Sequence, residues 1–77
     1  MRPWPPRLRY LDQALEVNRV AGNRWGEAWT LASRGKALCD RGQLDAARAH
    51  WREALAIFDQ LGDPRSAEIR SYLNHAP

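Results

Sequence analysis

Gly22, Gly42 and Gly62 each close a run of apolar residues at helical spacing, and these stops constrain the chain more than any other feature. From Leu8 onward, Leu8, Leu11, Ala14, Leu15 and Val17 fit a 3.6-residue stripe, with Arg9, Asp12, Gln13, Glu16 and Arg19 largely off it. Ala28, Leu31, Gly35 and Leu38 line one face of the next run. Leu44, Ala47, Trp51, Ala54, Leu55 and Phe58 make the strongest stripe of all. After Gly62, Asp63-Pro64 supplies a capping aspartate and a proline at a first helical position, followed by Ala67, Ile69, Tyr72 and Leu73. Val, Ile and Thr are scarce beside Ala, Leu and Arg, which favours helix over strand. The pattern predicts an all-α fold of four helices over about 7–21, 24–41, 44–61 and 64–74. Connections of two or three residues force neighbouring helices to run antiparallel. Residues 1–6, MRPWPP, read as a disordered proline-rich arm before a helical domain at 7–75.

The junctions repeat. Ala14-Leu15 to Gly22-Asn23 has the spacing of Ala54-Leu55 to Gly62-Asp63, at an offset of forty residues. Val17 then pairs with Ile57, Gln13 with Glu53 and Leu11 with Trp51. Beyond the junction, with one residue inserted, Glu27 pairs with Glu68 and Leu31 with Tyr72. A period of this size in helix pairs indicates a solenoid.

Inside the complete unit, Gly35, Leu38, Gly42, Leu44, Ala47, Trp51 and Ala54 stand at the relative spacing of the tetratricopeptide repeat signature, and the chain resembles that family over roughly residues 8–74. The spacing has a physical sense. Gly35 lets two helices approach, Gly42 permits the turn, Ala47 sits at the helix crossing, Trp51 plugs between helices and Ala54 leaves room for the next repeat. Three positions depart from the usual pattern. Leu31 replaces a tryptophan-like residue, Arg34 replaces a leucine, and the closing proline is missing, so the unit runs on to Gly62-Asp63. The longer unit, ending in FDQLGD, resembles the C-terminal arrays of large bacterial transcription regulators of the actinobacterial antibiotic-regulatory type.

The resemblance implies a protein-interaction or scaffold module that takes an extended peptide or a partner helix on a face built from first helices. The groove positions it implies are Trp29, Ala32, Lys36, Cys39 and Asp40. The helical wheel agrees: Trp29 lies about 160° from Leu31 and close in angle to Lys36 and Asp40, forming one ridge. Trp29 could instead pack against the first helix of a neighbouring repeat, at the level of Ile69 or Arg70. Trp25, in the first helical turn, is expected over the helix start or against the preceding helix.

Other chemistries find little in this sequence. His50 and His75 are far apart, Cys39 is the single cysteine, and neither a metal-ligand spacing nor a phosphate-binding glycine motif is present. The expectation is therefore no enzyme, no cofactor and no metal. No apolar run reaches the ~20 residues of a membrane span, and the lone cysteine fits a cytoplasmic location. A net charge of +3, almost all arginine, raises a small basic helical nucleic-acid-binding protein as the alternative. Against it, Asp12, Glu16, Asp45 and Glu53 lie on the faces that would meet DNA, so direct nucleic-acid binding is not expected. Stacked repeats generally need about three units. A piece of a longer array, or a free-standing remnant that self-associates through exposed apolar helix faces, both fit the chain.

Overall fold

The computed structural model describes residues 7–75, so the proline-rich arm lies outside the described residues. Those residues form four α-helices and no strand: α1 Arg7–Ala21, α2 Arg24–Asp40, α3 Leu44–Leu61 and α4 Arg65–His75. The last begins one residue after Pro64. Asp63 Oδ1 accepts the Arg65 amide at 2.8 Å, which holds Asp63 and Pro64 in a turn ahead of the helix.

One device ends the first three helices. Gly22, Gly42 and Gly62 have φ of 71°, 78° and 66°, the left-handed region that side chains resist. At each end the amide after the glycine reaches back to a carbonyl five residues earlier, at 2.9 Å: Asn23 to Asn18, Gln43 to Leu38 and Asp63 to Phe58. The glycine amide takes the carbonyl three residues back, completing a Schellman pair. Asn23 then starts α2 by accepting the Gly26 amide at 2.9 Å.

These sharp reversals produce antiparallel hairpins. Arg7 at the start of α1 pairs with Asp40 at the end of α2, while Arg19 near the end of α1 pairs with Glu27 near the start of α2. Arg24 of α2 donates to Gln60 of α3, and Arg70 of α4 pairs with Asp59 of α3. Alternate helices therefore run parallel. Trp25 of α2 reaches Asp63, just before α4, and Arg19 of α1 reaches Glu53 of α3 at 3.5 Å. The result is two layers, α1 with α3 and α2 with α4.

The core lies mainly between α2 and α3. Ala28, Ala47, Ala54 and Phe58 are 0% exposed and Leu31 1%. Gly35 leaves the space that Trp51 fills, since a Cβ built there would overlap the Trp51 indole. That indole is itself fixed, 3% exposed and donating through Nε1 to Ala32 O at 3.2 Å. The buried polar residues Thr30 and Glu27 are satisfied: the Thr30 hydroxyl donates to Gly26 O at 2.8 Å, and Glu27 holds both Arg19 and Arg24, whereas the buried Nε of Arg34 has no partner among the described residues.

α1 differs from the sequence expectation. It buries no residue fully. Leu8 and Leu15 pack against the core, but Val17 is 65% exposed and shares an open face with Tyr10 and Val20. Two residues advance a helix by about 200°, so Val17 cannot follow Leu15 inward. Its counterpart Ile57, on α3, is 4% exposed because α3 has a helix packed on either side and α1 has only α2 after it. Arg34, standing where leucine is usual, suits this polar helix: it forms an ion pair with Asp12 and reaches Leu8 O.

Candidate functional site: a groove between α2 and α4

Because α2 and α4 are parallel and each rests on α3, a groove is left between them. It encloses about 170 Å³ and is floored by Ala32, Phe58 and Ile69. Trp29, Ser33 and Lys36 form the α2 wall, and Arg65, Glu68 and Tyr72 the α4 wall. Trp29, Ala32 and Lys36, three of the five residues expected at a groove, thus share it. Cys39 and Asp40 lie further along α2, in a shallower hollow with Trp51 and Tyr72.

At one end of the groove stands an aromatic platform. Trp25 and Trp29 stack with ring centroids 6.0 Å apart and planes 9° from parallel. The Arg65 guanidinium lies 5.3 Å from one ring centre and 5.2 Å from the other. Trp25 Nε1 donates to Asp63 Oδ2 at 3.0 Å. Trp25 thus turns toward the start of α4, whereas its place in the first turn predicts a position over the start of α2 or against α1; the reach to Asp63 and the stacking on Trp29 both lie on the α4 side. Trp29 meets Arg65 instead of Arg70, which is held by Asp59, while Ile69 lies below it in the groove. Both tryptophans keep open surface, 41% for Trp25 and 47% for Trp29.

Further along, the Lys36 ammonium lies 5.2 Å from the centre of the Tyr72 ring and 3.4 Å from its hydroxyl. That ring packs on Trp51, with centroids 5.4 Å apart. Tyr72 donates to Glu68 at 2.8 Å. Asp40 is occupied by Arg7. Arg65 and Tyr72 are among the groove residues that the single-helix wheel missed, with Ser33, Phe58 and Glu68. For Arg65 and Tyr72 the signal was present in the repeat register, which equates Trp25 with Arg65 and Leu31 with Tyr72 and so lays α4 beside α2.

His50 and His75 each direct Nδ1 at a carbonyl one turn back on their own helix, Ala46 O and Ser71 O, at 2.9 Å. Among the described residues no three His, Cys, Asp or Glu side chains gather as metal ligands, and no helix is long and apolar enough to cross a membrane.

The chain is similar to a segment of regulatory protein AfsR. It is 39% identical over 67 residues to AfsR of Streptomyces griseus, covering 87% of this chain and 7% of that protein. With AfsR of Streptomyces coelicolor it shares 38% over 65 residues, 84% of this chain and 6% of that protein. The chain therefore spans less than a tenth of the length of the curated relatives it matches. A match over 87% of the chain takes in α2 and α3 whole, so the likeness to AfsR extends across the central hairpin and is not confined to one short motif. No protein-family model and no solved structure matches the chain.

Proposed function

We propose that the chain is a protein-interaction module of tetratricopeptide type, serving a transcription regulator of the AfsR kind, and that the α2/α4 groove is its binding face. The observation that carries this reading is Trp29. It keeps nearly half its surface open at the rim of an apolar-floored groove, in a chain whose other central aromatics, Trp51 and Phe58, are buried. Large aromatics held rigid and half exposed are frequent anchors of protein interfaces. The spacing of Gly35, Leu38, Gly42, Leu44, Ala47, Trp51 and Ala54 supports the repeat assignment, and similarity to AfsR supports the regulatory setting. Nucleic-acid binding has less support, since Arg7, Arg19, Arg24, Arg34 and Arg70 are each engaged by a carboxylate.

Trp29→Ala tests the reading. Peptides selected by display against the whole chain should bind the variant at least tenfold more weakly, as expected of a hot-spot aromatic. Stability should fall by only about 1 kcal/mol, the scale of one stacked pair at an exposed site. Loss of folding, or unchanged binding, would overturn it.

A further inference from the structure

Resting on the groove reading, we infer that the groove's occupant is an acidic peptide segment carrying an apolar side chain flanked by two carboxylates, three or four residues apart. Five arginines elsewhere on the described surface are matched to acids, Arg7 to Asp40, Arg19 and Arg24 to Glu27, Arg34 to Asp12 and Arg70 to Asp59, while Arg9, Arg41 and Arg52 are exposed without a carboxylate partner among the described residues and do not line the groove. The two cations that do line it also lack a carboxylate, but they are fixed beside an apolar floor. Among the described residues, Arg65 rests on the indoles of Trp25 and Trp29, and Lys36 on the phenol of Tyr72, and neither has a carboxylate partner.

The acids nearby are already engaged. Glu68 accepts the Tyr72 hydroxyl, Asp40 is tied to Arg7, and Asp63 takes the Trp25 indole on one oxygen and the Arg65 amide on the other. Aromatic faces hold the two cations in place without neutralising them. An incoming carboxylate gains a charge-assisted contact at each without breaking an existing ion pair.

Geometry sets the spacing. Arg65 stands at the level of Trp29, seven residues before Lys36 on α2, or about 10 Å along the helix. An extended chain covers that distance in three or four residues at about 3.3 Å each. Between the cations the cavity of about 170 Å³ lies over Ala32, Phe58 and Ile69, and about 150 Å³ suffices for a benzene-sized group. It takes one large apolar side chain and not a whole helix. A single-stranded nucleic acid also likes aromatic and cationic surfaces, but two cations about 10 Å apart are not the continuous positive groove that tracks a phosphate backbone.

The experiment selects peptides from a random display library against the intact chain and measures them by tryptophan fluorescence, with Trp25 and Trp29 as reporters. Binders should carry two Asp or Glu residues at the stated spacing around an apolar residue. Changing both acids to Asn or Gln should weaken binding at least tenfold, the scale of a hydrogen bond to a charged group. Lys36→Gln and Arg65→Gln should each weaken the acidic peptide and leave its amide version nearly unchanged, with Arg65→Lys restoring part of the loss. Arg52→Gln, on the exposed surface of α3, should change nothing. Binders without acid enrichment that still depend on Trp29 would overturn the acidic inference and leave the groove reading standing. Binders indifferent to Trp29, or none at all, would overturn both. Stronger binding of single-stranded DNA with a steep salt dependence would overturn the choice of a peptide.

Discussion

At the scale of single residues, the tightest constraint is Gly35 against Trp51. An alanine in a helix interior normally gains about 1 kcal/mol over glycine. Here the steric term should win, because the indole it would strike is buried and held by Ala32 O. Gly35→Ala is expected to lower stability by about 1–2 kcal/mol net, as overpacking does, read as a lower urea midpoint at unchanged slope. A raised midpoint would show that the helices can part freely. The sequence marks both residues as packing positions, Gly35 for close helix approach and Trp51 as a plug between helices, without pairing them. The orientation of Trp25 was not legible. Its position in the first turn left several directions open, and only Asp63, thirty-eight residues away, selects one.

At the scale of elements, four helices and the stops of the first three follow from glycine and apolar period, because the Schellman turn is a local device. How deeply each helix is buried does not follow. α1 and α3 carry matching stripes, yet α3 buries Ala47, Trp51, Ala54, Ile57 and Phe58 and α1 buries nothing fully. The α3 stripe is the stronger of the two, and neighbours widen the difference: α3 is packed between α2 and α4, α1 mainly against α2. Local stability should therefore be graded. In native-state hydrogen exchange, α1 amides should open with free energies on the order of 1–2 kcal/mol below those of central α3. Equal protection in the two helices would mean that the open face carrying Tyr10, Val17 and Val20 is covered in solution.

At the scale of the whole molecule, the groove is a product of stacking. No single helix contains it: Trp29, Ala32 and Lys36 come from α2, Phe58 from α3, and Arg65, Ile69 and Tyr72 from α4. One wall could be placed from the wheel of α2. The other required knowing that α4 lies parallel beside α2, which the forty-residue register implied but the wheel of one helix could not show. The measurement that bears most directly on the groove as binding face is an amide-correlation NMR titration of the intact chain with a display-selected peptide. Shifts should concentrate at Trp29, Ala32, Ser33, Lys36, Glu68 and Tyr72, leaving the open face of α1 unmoved. Shifts centred on Tyr10, Val17 and Val20, with the α2/α4 groove silent, would contradict it.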